Sequence, residues 1–144
     1  MLRHEGKCHV LDVLIVDDDP EIRRILQEIL QPLDYNVREA GNGREALPMV
    51  ARREPDLVIV DILMPDMDGL ETIRSLRGQG YRMPIVALST GKHLTAERYS
   101  EFAKSFGADE VLSKPFAGDE VLAILARLLG RNEATGSSKA SATN

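Results

Sequence analysis

The chain is 144 residues long, 43% hydrophobic and 28% charged, with a net charge of −5 and a pI near 5.2. That balance describes one globular domain with a core of its own, and the acidic charge with no basic cluster argues against nucleic acid as a partner. Sparse aromatics (4%, no Trp) argue against flavin or base stacking, the single Cys8 excludes an internal disulfide, and no stretch has the length of a membrane span, so the expected compartment is the cytoplasm.

Residues 1–9 are a polar lead without periodicity. Residues 10–16 read as an apolar strand, interrupted only by Asp12, that runs into Asp17, Asp18, Asp19 and Pro20. Asp19 before Pro20 signals a helix start, with a capping side chain followed by a proline where a backbone N–H has no partner to lose. Ile22, Ile25, Leu26, Ile29 and Leu30 then mark one face of a helix ending near Pro32. Residues 35–39 alternate as a short strand, and 40–43 turn the chain. Asn42 with Glu45 three residues on has the form of a capping box and opens a helix that reaches Arg53. Pro48 lies inside that helix, where the lost hydrogen bond to Arg44 predicts a kink or a shortened helix at a cost of about 3 kcal/mol.

Residues 57–61, Leu-Val-Ile-Val-Asp, are apolar on both faces up to the last position, the pattern of a buried parallel strand. Asp61 therefore falls at the carboxyl edge of a sheet, where open α/β folds place their ligands. Asp66 and Asp68 belong to the turn that follows and are expected in solvent. Residues 69–77 read as a helix with Leu70, Ile73 and Leu76 inward, broken by 78–80. Residues 84–88 are the next buried strand, ending at Ser89, Thr90 and Gly91. Thr95 is expected to cap a helix that turns Tyr99, Phe102, Ala103 and Phe106 to the core, and Gly107 to end it. Residues 109–113 form a last short strand before Lys114 and Pro115, and 118–129 the final helix. Five strands alternating with five helices give a doubly wound α/β domain, a parallel sheet with helices on both faces. The domain is expected over residues 10–130, with 131–144 a disordered polar tail. The three His residues follow no ligand spacing and read as surface.

Asp17, Asp18, Asp61, Ser89 and Lys114 each stand where an apolar run stops. Strands of one parallel sheet would bring these acids, a hydroxyl and an ammonium to a common edge. Clustered carboxylates repel unless a cation offsets them, and hard oxygen ligands with room for water suit Mg²⁺. Beside such an ion a carboxylate can attack a phosphoryl group and become an acyl phosphate, with metal, ammonium and hydroxyl stabilising the equatorial oxygens.

Four motifs occur in order: Val-Asp-Asp-Asp at 16–19, Asp-x-x-Met-Pro-x-Met-Asp-Gly from Asp61, Ala-Leu-Ser at 87–89 and Lys-Pro-Phe at 114–116. Together they make residues 10–130 resemble the receiver domain of bacterial two-component response regulators. The resemblance implies a flavodoxin-like five-stranded sheet in the order 2-1-3-4-5, the order of another family member. It implies that Asp61 accepts a phosphoryl group from a sensor histidine kinase or a histidine phosphotransfer protein. It further implies that Asp18 binds Mg²⁺ directly and Asp17 through water, with the Leu63 backbone carbonyl as another ligand. Ser89 would be the switch hydroxyl, Lys114 the family's lysine, and Lys114–Pro115 a cis peptide. Such a protein is a signalling phosphoacceptor rather than an enzyme, and it acts on a downstream protein through its last helices.

The chain also departs from the family pattern. Val111 stands where most members carry an aromatic, and Thr90 where they carry a small residue, so an aromatic switch is not expected. Leu63 and Gly91 occupy the positions that tune hydrolysis of the acyl phosphate, and neither side chain can orient a water, so a long-lived phosphorylated state is expected. Val121, Leu122, Ile124, Leu125, Leu128 and Leu129 span an arc of about 160° on the final helix. This is wider than one-sided burial demands, and it suggests contact with a partner or a homodimer. Among rival readings, a Mg²⁺-dependent aspartyl phosphatase lacks its second acid at Leu63. A flavodoxin would need a Ser/Thr/Gly-rich turn where this chain is acidic, and a scaffold that takes no phosphate would not need the acids and Lys114. A stand-alone receiver is the expectation, and a fragment of a larger regulator or hybrid kinase the alternative.

Overall fold

The computed structural model describes residues 10–62, 69–89, 101 and 103–130. Strands β1 (Asp12–Val16), β2 (Asn36–Ala40), β3 (Leu57–Asp61), β4 (Ile85–Ser89) and β5 (Glu110–Ser113) form one sheet in the order β2-β1-β3-β4-β5. Every neighbouring pair is parallel. Helices α1 (Pro20–Leu30), α2 (Gly43–Arg52) and α3 (Gly69–Gly78) and the final helix (Gly118–Leu129) cover it. Residues 103–106 are helical up to Gly107, whose left-handed backbone lets the chain turn out of the helix, as expected. Thr95, Tyr99 and Phe102 lie outside the described residues, while Phe106 packs on the core. Among the described residues no helix is long and apolar enough to cross a membrane.

The central strands explain why residues 57–61 are apolar on both faces. Alternate residues of β1, β3 and β4 sort to opposite sides of the sheet. Leu14, Val16, Val58, Val60, Ile85 and Ala87 pack with Ala46 and Val50 of α2 and Ile73 and Leu76 of α3. Val13, Ile15, Leu57, Ile59, Val86 and Leu88 pack with Leu26 and Leu30 of α1 and with Val121, Ile124 and Leu125 of the final helix. The wide apolar arc of that last helix is thus partly used at home, since Leu122, Leu128 and Leu129 are half-buried against the same cluster.

Several local expectations need adjustment. β1 begins at Asp12 rather than Val10, which is 51% exposed. Asp12 interrupts the apolar pattern yet is only 2% exposed, because Arg38 and Asn36 of β2 supply it with hydrogen bonds. Asn42 caps α2 by accepting the Glu45 N–H at 2.9 Å. Glu45, however, reaches back to the Gly41 N–H at 2.8 Å, one residue earlier than in a capping box. Pro48 does not shorten α2, which runs on to Arg52 and closes with the Arg53 N–H on the Met49 carbonyl at 3.1 Å. Ala46 and Val50, buried on either side of the exposed Pro48, hold the helix to the sheet across the lost bond.

At the amino-terminal edge of the sheet, Arg77 of α3 joins three segments. Its guanidinium donates to the carbonyls of Tyr81, Met83 and Gly107 at 2.8–3.0 Å and to Asp109 at 3.0 Å. Asp109 in turn accepts the Ile85 N–H at 2.8 Å where β4 starts.

A carboxylate cluster at the carboxyl edge

The sheet register brings the polar strand ends together. Val16 is paired with Val60, so the next residues, Asp17 and Asp61, emerge side by side. The Asp17 N–H adds one more bond to the ladder, donating to Ala40 at 3.1 Å. Ser113 is paired with Ser89, and the Lys114 N–H continues the ladder to the Ser89 carbonyl at 2.7 Å. Lys114, which precedes the cis peptide to Pro115, then reaches inward. Its Nζ lies 3.1 Å from Asp17 Oδ2 and 3.5 Å from Asp61 Oδ2.

Asp17, Asp18 and Asp61 each offer an oxygen within 4.8 Å of the others. Asp17 and Asp61 are buried, and Asp18 is exposed, so the cluster opens to solvent on one side. Asp17 Oδ1 accepts the Asp19 N–H at 2.9 Å. Asp17 Oδ2 is buried with the ammonium near but no aligned hydrogen bond. Burial pushes the Asp17 carboxyl above its ordinary pKa, only partly offset by the Asp19 amide and Lys114. Among the described residues three carboxylates face one ammonium, an excess of negative charge, and a buried carboxylate oxygen without an aligned hydrogen bond is suited to act as a ligand. This donor set, all hard oxygen and open to water on one side, fits a divalent cation. Asp19, as expected, is a cap instead, accepting the Glu21 N–H at 2.9 Å.

Of the residues singled out in the sequence, Asp17, Asp18, Asp61 and Lys114 converge, and Ser89 is buried on the same edge at the end of β4. Leu63, Thr90 and Gly91 lie outside the described residues, as do Asp66 and Asp68. Val111 sits half-buried against the core, paired with Ala87.

Sequence reasoning missed the part played by Gly69. Its N–H donates to the Ile62 carbonyl at 2.9 Å, and a Cβ there would lie 1.9 Å from the Asp61 carbonyl oxygen and 2.7 Å from Ile62 Cα. Only a residue without a side chain lets α3 start against the backbone of Asp61. The Asp-Gly pair before an apolar helical pattern was the available signal, and it indicated a turn but not what the turn touches.

A model of the family described as the response regulator receiver domain matches residues 13–126. The chain is 42% identical over 121 residues to the response regulator MprA of Mycobacterium tuberculosis, covering 84% of this chain and 51% of that protein. It is 43% identical over 119 residues to MprA of Mycolicibacterium vanbaalenii, covering 83% and 50%. It therefore spans about half the length of these curated relatives. Among solved structures, the chemotaxis protein CheY4 of Vibrio cholerae superposes with a TM-score of 0.75 at 34% identity, covering 83% of this chain and 99% of that one. The receiver domain of NtrX from Brucella abortus does so with a TM-score of 0.76 at 28% identity, covering 84% and 100%.

Proposed function

The chain belongs to the response regulator receiver domain family, and from that premise we propose that it is a phosphoacceptor switch whose Asp61 carboxylate takes a phosphoryl group from a histidine. The observation that carries this reading is the placement of Asp61 beside Asp17, with the Lys114 ammonium within 3.5 Å of both. In the reaction an Asp61 oxygen forms a bond to phosphorus while the bond from phosphorus to the donor's imidazole nitrogen breaks, its electron pair staying on the ring. Asp17, Asp18 and Asp61, together with the Leu63 carbonyl, would hold Mg²⁺. The ion would supply positive charge to the phosphoryl oxygens, which are otherwise repelled by the acids. Lys114 supplies the fixed positive charge on the other side, and Ser89 the hydroxyl that reads the new group.

The donor on this reading is a sensor histidine kinase or a histidine phosphotransfer protein, and the outcome is a changed contact with a downstream protein. Leu63 and Gly91 offer no side chain to orient an attacking water, so the acyl phosphate is long-lived, and Leu63→Asn should shorten its lifetime. Incubation with Mg²⁺ and a small acyl phosphate donor, followed by intact mass, tests the proposal directly. A mass gain of one phosphoryl group in the wild type, lost in Asp61→Asn and without Mg²⁺, is expected; no gain in the wild type rejects it.

A further inference from the structure

Arg23 lies outside the acid cluster and carries the wrong charge for a cation ligand, yet it is tied to the segment that bears two of the acids. Its Nη1 donates to the backbone carbonyl of Asp17 at 2.6 Å. Its Nε pairs with Glu39 Oε1 at 2.8 Å. The other Glu39 oxygen accepts from the Gln27 side chain at 2.8 Å. Arg23 and Gln27 stand four residues apart on α1, on one face of the helix, and Glu39 is on β2. The guanidinium is therefore fixed from two elements before it touches the loop.

The Asp17 carbonyl belongs to the peptide that leads into Asp18. Because that peptide is planar, fixing its oxygen fixes where the Asp18 Cα sits, the point from which the Asp18 side chain leaves. The Asp17 N–H is held by Ala40, and the Asp19 N–H by the Asp17 carboxylate. The carbonyl bond from Arg23 is a third tether on this turn, and a charge-assisted one. Asp18 is exposed, so packing does little to aim it, and the backbone must.

We propose that Arg23 is a positioning residue for the cation site, orienting Asp18 and Asp17 through the carbonyl that joins them. The inference rests on the reading of the carboxylate cluster as a divalent-cation site. Charge and position predict opposite signs. If Arg23 acted only as a nearby positive charge, its removal would strengthen cation binding. As a positioning group its removal weakens binding, by about ten-fold if it behaves as supporting groups around metal sites usually do.

The test is calorimetric titration of Mg²⁺ into the full chain for wild type, Arg23→Gln, Arg23→Lys and Glu39→Gln, with backbone amide exchange measured in parallel. The expected result is weaker Mg²⁺ binding in Arg23→Gln and a smaller loss in Glu39→Gln, where the guanidinium keeps its carbonyl bond but loses its anchor. Arg23→Lys, which keeps the charge but not the two-sided fork, should fall between wild type and Arg23→Gln. Faster exchange of the Asp19 amide in Arg23→Gln, with the Asn36 amide at the opposite edge unchanged, marks a local effect. Unchanged or tighter Mg²⁺ binding in Arg23→Gln overturns the inference while leaving the cation site standing. Absence of Mg²⁺ binding in the wild type overturns both.

Discussion

The two ends of β1 each bury an aspartate, and the two are treated oppositely. Asp12, at the start of the strand, is enclosed by partners: the Asn36 amide, the Arg38 guanidinium, and through its own N–H the Asp56 carboxylate at 2.7 Å. Arg38 is itself completed by the carbonyls of Met49 at 3.2 Å and Arg53 at 2.7 Å. Asp17, just past the other end, is fully buried with one oxygen lacking an aligned hydrogen bond, and two further acids crowd it. One end is a closed network that holds the sheet together. The other is left short of positive charge, which stores a demand for a ligand at a cost in stability.

Breaking the closed end should have the largest effect. Asp12→Ala leaves the Arg38 guanidinium its bonds to the Met49 and Arg53 carbonyls but takes away its counter-charge, and should lower unfolding free energy in urea by about 3 kcal/mol. Mg²⁺ affinity in the surviving folded protein should stay near wild type. Gly69→Ala should come next, at about 1–3 kcal/mol, because the new methyl overlaps the Asp61 backbone. Unlike Asp12→Ala, it should also impair phosphoryl acceptance, read by intact mass.

At the open end the sign should reverse. Asp17→Asn removes a buried, poorly satisfied charge and should stabilise the cation-free protein by about 1 kcal/mol. It should also weaken Mg²⁺ binding in the same titration. A destabilised Asp17→Asn would mean that the Lys114 ion pair outweighs desolvation there, and the contrast between the ends would fail.

The smallest effect is the pH dependence. Asp17 has its folded pKa raised, so with rising pH the unfolded chain loses this proton first and the folded state loses stability through the acid range up to that raised value. Glu39 has its folded pKa lowered, chiefly by the Gln27 hydrogen bond, with burial next and opposing it and Arg23 adding to the lowering. Its contribution is present above the unfolded value and disappears as pH falls through the lowered one. The advantage of Asp17→Asn over wild type, measured without divalent ions, should therefore be absent at the acid end and grow as pH rises. Saturating Mg²⁺ should reverse it.

How much of this could be read beforehand follows the same division. The open end was legible because strand termini are visible in one dimension. An apolar run stops, a polar residue follows, and a parallel sheet places all such stops on one edge. Asp17, Asp61, Ser89 and Lys114 needed no more than that. The closed end was not legible, because Asp12 looks like an interruption until Arg38, 26 residues away, is known to face it. Arg77 was missed for the same reason, since Gly107 and Asp109 are 30 and 32 residues away, and Gly69 because its role is set by how the turn folds back on the Asp61 backbone. Pro48 misled because propensity describes an isolated helix, whereas α2 is held by burial of its neighbours.

The Arg77 junction has a mechanical consequence. A single guanidinium grips the chain before β4 and, through Gly107 and Asp109, the chain before β5. Those two strands are thereby pinned together at their starts, like blades on a rivet. The clamp sits at Ile85 and Asp109, at the end of the strand pair opposite Ser89 and Lys114, so the polar ends that the ladder joins at 2.7 Å rise from a fixed base.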